Sequence, residues 1–509
     1  MPPSKAPTPP TEPSATTPEA LERILAAASA AAAPYGALSP QDRARMLREV
    51  AAALDADTDA LVGLAGEETR LPEPRLRGEL VRTTFQLRLF ADLLDDGAYL
   101  EAALDAPDSG WPTGPRPDLR RMLVPVGPVI VFAASNFPFA FSVAGGDTAA
   151  ALAAGCPVLL KAHPGHPELS RHTARLVTEA LAGAGAPGGV FALVEGDTAG
   201  RDALVDPRVR AGAFTGSLRV GRLLFDLAAG RPDPVPFYGE LGSINPVFVT
   251  PGAAHSRGAE IWAGYVESFA LGAGQFCTKP GLLLAPAGAA EDALTAALSG
   301  RAGAPLLNER IEHGFQAGLG TLTGHPAVRV LTAGDAAGGT AGAVRPSLLA
   351  TTARDLLADL DVIGAEVFGP ASVLVTYTDP AELTAVAGAI QGQLTATVHG
   401  DADDPVDAAL SRDLLRELSR RAGRVLWNGW PTGVSVTHAM THGGPYPATT
   451  STFTSVGTTS IGRFLRPVTY QGVPDALLPA ALRDANPWKL PRRHDGRPAI
   501  PDDTGPARA

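Results

Sequence analysis

Short apolar runs alternate with helical stretches between residues 122 and 242, and this alternation limits the fold more than anything else in the chain. RMLVPVGPVIVFAAS reads as extended segments, FSVAGGDTAAALAAG as a helix ending at Gly155, PVLLKAH as a buried strand and HPELSRHTARLVTEALAGAG as a helix. GVFALVEG, RDALVDP and VRAGAFTGS then read as strand, short helix and strand running into a turn. Repeated strand–helix units of this kind predict a parallel sheet covered by helices on both faces, an α/β fold. A second α/β stretch follows from about residue 243 to 440. With 509 residues the chain exceeds what one hydrophobic core usually serves, so at least two domains are expected.

The ends differ in composition. Residues 1–18 are rich in Pro, Thr, Ser and Ala and are expected to be disordered, because they cannot bury enough apolar surface. Residues 19–100 carry helical periodicity, as in LERILAAASAAAAPYG and LVRTTFQLRLFADLLDDG. The last 20 or so residues are rich in Pro, Arg and Asp and are expected to be loose. A net charge of −11 argues against a general nucleic-acid binder. No uninterrupted apolar stretch approaches the roughly 18 residues of a membrane span, and the N-terminus carries no apolar signal region. Two cysteines, Cys156 and Cys277, make a disulfide framework implausible, so a reducing cytoplasm is expected. No metal site is expected.

Several short segments can carry chemistry. Cys277 lies in LGAGQFCTKPG, a poor strand or helix core in which Gly272 and Gly274 allow close backbone approach. It reads as a nucleophile or as a buried structural thiol. Cys156, between a helix end and a buried strand, reads as inert packing. Glu240 in FYGELGSINPVFV suits a general base, or is a solvated loop carboxylate. Asn136 in VFAASNFPFAFS can donate to an oxyanion, or simply end the strand before it. In AGAFTGSLRVGRLLF a strand ends near Phe214, Gly216 and Ser217 make a turn, and a helix follows with Gly221 in its first turns. A helix N-terminus of this kind suits a pyrophosphate, although no GxGxxG fingerprint is present. Lys161 ends the strand PVLLK, where ligands bind in open α/β sheets, or is a surface lysine. Glu366 in VIGAEVFGPASVLVTY can bond a ribose, or is an ordinary loop carboxylate.

Together these segments resemble the aldehyde dehydrogenase superfamily over roughly residues 19–485, in family order: SNFPF, VLLKAHPGHP, FTGS, ELGSINPVFV, GQFCTKPG and AEVFGP. The resemblance implies two parallel-sheet α/β domains plus a small β oligomerisation element. The nicotinamide-nucleotide domain would take residues 19–100 and 122–242, and the catalytic domain 243–464. The oligomerisation element would take 101–121 and 465–485, leaving 486–509 as a tail. It further implies a Cys277 thiolate attacking an aldehyde, Asn136 and the Cys277 N–H holding the oxyanion, and Glu240 activating water against the resulting thioester. Lys161, His163, Pro164, Thr215, Gly216, Ser217, Gly221, Glu366 and Phe368 would bind the cofactor. A homodimer or homotetramer is implied in the same way.

WNGWPTGV, HGGPYPATT, TSVGTTSIGRFLRPVTYQ and KAHPGHP resemble the α-ketoglutarate semialdehyde (2,5-dioxovalerate) dehydrogenases within that superfamily. Such a substrate carries a carboxylate, so a tunnel cation is expected, and Arg82 is the candidate, with Phe137, Phe141 and Trp430 as tunnel walls. Fatty or aromatic aldehydes are alternative substrates. NAD-preferring relatives often place a Glu three residues after the strand-end Lys, where it repels a 2′-phosphate; here that residue is Pro164, with His163, His166 and Arg201 nearby, so the resemblance implies NADP or NAD, with NADP favoured. Two rival classes remain. A cofactor-independent thiol hydrolase would pair Cys277 with a histidine; none lies in its loop, but His438 or His442 can approach through the fold. A non-catalytic scaffold would have no need of the Asn, Lys, Glu, Cys and Glu set.

Overall fold

The structure is a computed structural model that describes residues 15–334 and 343–499. The segment expected to be disordered, 1–18, falls mostly outside those residues. Its last residues are placed: the Thr16 N–H donates to Glu195 O at 2.9 Å, and the Thr17 hydroxyl caps the helix Pro18–Gly36 by accepting the Ala20 N–H at 3.2 Å.

The strand–helix alternation forms a five-stranded parallel sheet ordered Phe191–Val194, Val158–Lys161, Val129–Phe132, Ala211–Thr215, Phe237–Glu240. Val129–Phe132 and Val158–Lys161 are buried at every position, as expected for central strands with helices on both faces. The chain winds outward from Val129–Phe132 on one side, then returns to add Ala211–Thr215 on the other. The loops after Phe132 and Thr215 therefore diverge and leave a crevice at the carboxyl ends of these two strands. Leu47, Leu61, Leu87 and Phe90 from the preceding helices share one core with Val131, Val158 and Leu160. Leu21 and Leu25 pack on the opposite face with Ile130 and Leu159. Each such leucine contributes about 1.5–3 kcal/mol on burial.

The helix expected from Phe141 begins only at Gly146 and ends before Gly155, which takes φ 95°. The reason is local. A Cβ on Gly145 would lie 2.5 Å from Ala140 O, so the chain folds back on itself here before the helix can start.

The second sheet has seven strands ordered Arg329–Thr332, Ser347–Thr352, Ala371–Tyr377, Leu282–Pro286, Val247–Val249, Gln393–His399, Ala422–Trp427. All neighbours are parallel except the edge strand Arg329–Thr332, which runs antiparallel to Ser347–Thr352. A third sheet, ordered Leu465–Gln471, Leu119–Pro125, Ala103–Asp105, Arg492–His494, Arg497–Ala499, joins distant segments. Its last two strands correct the expectation of a loose C-terminal segment. Arg492–His494 runs parallel to Ala103–Asp105, and Arg492 is buried with Nη1 donating to Arg483 O at 2.7 Å. Backbone pairing on a sheet edge asks little of side-chain type, so the composition hid these strands. Residues 500–509 lie outside the described residues. Among the described residues no helix is long and apolar enough to cross a membrane.

Candidate active site

The helix Pro251–Ala270 gives way to a turn in which Gly272, Ala273 and Gly274 all take left-handed backbone, φ 56°, 55° and 65°. Ala273 is the costly member of this run, since L side chains seldom adopt that region. The turn brings Gly274 against Gly369: a Cβ on Gly274 would lie 2.2 Å from Gly369 O. Glycine is therefore required where the Cys277 loop meets the loop carrying Glu366.

A buried polar network anchors the Cys277 loop from below. The Asn245 Nδ2 group is shared among Cys277 O at 2.8 Å, Lys279 O at 3.0 Å and Ser243 O at 3.1 Å. Gln393 Oε1 accepts from the Ser243 hydroxyl and from the Ile244 and Asn245 N–H groups. A satisfied network of this kind fixes one geometry. Lys279, buried, donates from Nζ to Val367 O at 2.9 Å and Ala371 O at 2.7 Å, tying the Cys277 loop to the Glu366 loop.

Above this anchor three side chains meet. The Cys277 Sγ lies 3.3 Å from His442 Nε2, and the same nitrogen lies 2.8 Å from Glu240 Oε1. Glu240 ends the strand Phe237–Glu240, and its other oxygen accepts a short hydrogen bond from the Ser455 hydroxyl. One donor atom from each of Glu240, Cys277 and His442 falls within 4.8 Å of the others. These donor types would also take a soft divalent cation, but hydrogen bonding among them accounts for their closeness without one.

Burial pushes the Glu240 carboxyl up, yet the hydrogen bonds and charge from His442, with Ser455 and Cys277, outweigh it and hold Glu240 below the usual carboxylate range. Burial, then the Glu240 carboxylate itself, pushes the Cys277 thiol well above its ordinary value. The proton thus rests on sulfur while Glu240 stays charged. Glu240→Gln removes that opposing charge, so the Cys277 thiol should titrate at lower pH in the variant. The rate of iodoacetamide alkylation against pH follows the thiolate; its alkaline limb should move to lower pH, and an unmoved limb would contradict the electrostatic account.

Asn136 stands on the turn after Val129–Phe132, and its Nδ2 donates to Gln275 O at 3.2 Å, two residues before Cys277. Phe137 packs edge-on against both Phe141 and Phe276, each at 5.4 Å between ring centroids. Phe141 lies 6.4 Å from the His442 ring and beneath Arg82, whose guanidinium is 5.2 Å from the Phe141 ring. Both terminal nitrogens of Arg82 are buried without a hydrogen-bond partner among the described residues. Arg82 lines a cavity of about 320 Å³ with Val81, Phe85, Val434 and Val436. Trp430, expected with Phe137 and Phe141, is not brought to this group. Its ring sits 4.6 Å from His399 and 6.0 Å from Tyr265, packed on the core of the seven-stranded sheet.

The crevice of the first sheet lies beside these residues. Thr215 Oγ1 is buried without a partner, and the Ser217 hydroxyl caps the helix Leu218–Ala229. Gly216 packs on the Phe214 ring, and Gly221 on Leu241, where a Cβ would come within 2.0 Å. The orphan hydroxyl and the first-turn N–H groups suit a phosphate. Lys161 Nζ lies 2.5 Å from Asp197, and its stem passes against Gly200. His163 accepts the Gly165 N–H, and burial, with His166, Lys161 and Arg310 nearby, holds it well below the usual imidazole range and so neutral. Pro164 is exposed on the same turn. Glu366 points its carboxylate at Gly242, with Phe368 two residues on; burial pushes Glu366 up and Lys279 down.

His442 was legible only as one of two histidines able to approach the thiol. It stands 165 residues from Cys277, and nothing in THGGPYP marks it as a partner. Ser455 and Asn245 carry no local signal either.

A sequence profile of the Aldehyde dehydrogenase family matches residues 6–451. The chain is 46% identical over 484 residues to alpha-ketoglutaric semialdehyde dehydrogenase 2 of Azospirillum brasilense, covering 94% of this chain and 91% of that one. It is 42% identical over 488 residues to alpha-ketoglutaric semialdehyde dehydrogenase of Acinetobacter baylyi, covering 95% and 92%. Among solved structures, a Pseudomonas syringae aldehyde dehydrogenase complexed with NAD+ and octanal superimposes with a TM-score of 0.74 at 22% identity, covering 90% of each chain. The Bradyrhizobium japonicum proline utilization A protein does so with a TM-score of 0.75 at 24% identity, where this chain spans 45% of the larger one.

Proposed function

The chain belongs to the aldehyde dehydrogenase family, and on that premise we propose that it oxidises a carboxylate-bearing semialdehyde, 2,5-dioxopentanoate to 2-oxoglutarate, with Cys277 carrying the acyl group. The observation that supports this most is the meeting of Cys277, His442 and Glu240 beside Asn136, on a path that passes Phe141 to the unpaired guanidinium of Arg82.

The chemistry follows from that arrangement. The Cys277 proton passes to the Glu240 carboxylate, onto which His442 Nε2–H also donates, and the thiolate attacks the aldehyde carbon. The Asn136 amide and the Cys277 N–H hold the oxyanion. A nicotinamide nucleotide, when bound, would supply the oxidant, as the hydride acceptor that lets the thiohemiacetal on Cys277 become a thioester. Glu240, having released the first proton to solvent, then takes a proton from water as it attacks the thioester and returns it to the leaving sulfur, so the acid departs from the regenerated thiol. Thr215, Gly216, Ser217 and Gly221 would hold the nucleotide's phosphates at the helix N-terminus, Lys161, His163 and Pro164 its adenosine ribose, and Glu366 and Phe368 the nicotinamide ribose.

NADP is favoured over NAD in this reading. Pro164 offers no carboxylate against a 2′-phosphate, and Lys161, Arg201 and Arg310 surround the single Asp197. We also assign a homodimer or homotetramer built on the edge strand Leu465–Gln471, which sedimentation as a monomer would overturn.

The test is a screen of semialdehydes, aliphatic aldehydes and aromatic aldehydes with each nucleotide, read by the absorbance of the reduced form. Arg82→Met should lower kcat/KM for the carboxylate-bearing semialdehyde roughly 10- to 100-fold, the value of a charge-assisted hydrogen bond, and leave hexanal little changed. Equal losses for both would remove Arg82 from recognition, and a strong NAD preference would refute the cofactor assignment. The apolar walls Val81, Phe85, Val434 and Val436 favour a second reading, a dehydrogenase of fatty or aromatic aldehydes; higher kcat/KM for those than for the semialdehyde would establish it.

A further inference from the structure

We propose that Arg75 and Glu79, one turn apart on the helix Glu73–Asp96, are positioning residues of the oxyanion hole: they grip the Asn136 loop at two points and lock it, through Phe276, to the loop that carries Cys277. The proposal rests on Asn136 acting as an oxyanion donor.

The hole needs two donors, the Asn136 amide and the Cys277 N–H, and they come from separate chain segments. No covalent link sets their spacing, and the direct hydrogen bond between the segments, Asn136 Nδ2 to Gln275 O at 3.2 Å, uses the donor that catalysis must redirect. Some other contact has to hold the two loops while that amide turns to the substrate.

Arg75 fits this role. Its Nη2 donates to Asn136 O at 2.7 Å, fixing the backbone of Asn136 and leaving the side chain free. Its guanidinium centre lies 5.2 Å from the Phe137 ring and 4.8 Å from the Phe276 ring. Phe137 follows Asn136, and Phe276 precedes Cys277. One planar cation thus bridges the neighbour of each donor, with cation–π attraction on both sides. Gly272 belongs to the same joint, since a Cβ there would lie 3.0 Å from Arg75 Nη1.

Glu79 holds the far end of the loop. Its Oε1 accepts the Phe139 N–H at 2.8 Å and the Ala140 N–H at 3.0 Å. These N–H groups belong to the fold-back where Gly145 meets Ala140 O, so no helix or sheet supplies them with a partner. Glu79 is buried, which is costly for a carboxylate, and Arg75 and Arg82 supply the compensating charge. Arg75, Glu79 and Arg82 therefore form one buried face of the helix, at spacings of four and three, that together frames Asn136 to Phe141.

A donor displaced by about 1 Å costs on the order of 10²-fold in rate. Arg75→Lys keeps the charge but loses the planar fork and flat stacking, and Glu79→Gln keeps the shape but exchanges an acceptor for a weaker one. Each should lower kcat for aldehyde oxidation, and p-nitrophenyl acetate hydrolysis without nucleotide, by about 10- to 100-fold. Iodoacetamide alkylation of Cys277 forms no oxyanion and should stay within about twofold of the parent rate. In a double-mutant cycle, Arg75→Met on the Asn136→Ala background should cost less than about threefold, because the donor it positions is already gone. Parent-like rates in Arg75→Lys and Glu79→Gln, additive losses in the cycle, or an equal fall in alkylation would overturn the proposal. If Asn136→Ala is itself silent, the oxyanion reading fails first and the clamp with it. Should Arg75→Met not fold, Glu79→Gln carries the same cycle.

Discussion

Cys277→Ala loses nucleotide-dependent aldehyde oxidation by a factor on the order of 10⁴ to 10⁶, the cost of deleting a covalent nucleophile whose partners act only through it. The expected loss is in kcat, with nucleotide binding by calorimetry retained, because Thr215, Gly216 and Ser217 lie at the end of a first-sheet strand and the helix cap after it, and Cys277 beside the second sheet. Cys156→Ala is the matched control. Cys156 is fully buried, its Sγ contacts Phe464 O at 3.4 Å, and burial pushes its thiol up to about 11. It should cost stability and leave kcat unchanged. Oxidation surviving in Cys277→Ala would contradict the mechanism outright.

Glu240→Gln is the second large effect, and it differs in kind. Glutamine can still meet Ser455 and His442, so the site keeps its shape, but it cannot take the proton from water. Acylation of Cys277 then proceeds while hydrolysis of the thioester slows by about 10²- to 10⁴-fold, the range for loss of a general base. Rapid mixing should show a burst of reduced nucleotide close to one equivalent per site, followed by a slow steady rate. Parent-like steady turnover would remove Glu240 from deacylation. A slow rate with no burst would make proton removal from Cys277 at the attack step its limiting role.

The parallel sheets were readable because many of their strands are short, largely apolar runs separated by helical stretches, a pattern that few other folds produce. Asn136, Glu240 and Cys277 could be singled out from their surroundings: Cys277 lies among Gly and polar residues, Glu240 follows Gly239 before an apolar strand, and Asn136 stands in an aromatic, Pro-containing turn after a strand. His442 gave no such sign. Its role depends on a contact between chain segments far apart in sequence, and its neighbours are turn residues that would suit any loop. Arg75 and Glu79 were hidden differently. Charges four residues apart on a helix ordinarily mark a solvated face, and here that face is turned inward onto backbone groups that lack other partners. Trp430 shows the converse. The resemblance implied a tunnel wall, yet the ring packs on His399 and Tyr265, where it adds to the core.

The central claim is that the substrate becomes an acyl group on Cys277. It is tested most directly by quenching Glu240→Gln with acid shortly after mixing with semialdehyde and nucleotide, then mapping peptides by mass. The predicted result is the acyl mass on the peptide containing Cys277, near one equivalent per chain, absent without nucleotide. An unmodified Cys277 peptide during turnover, or an acyl group on the Cys156 peptide instead, would contradict it.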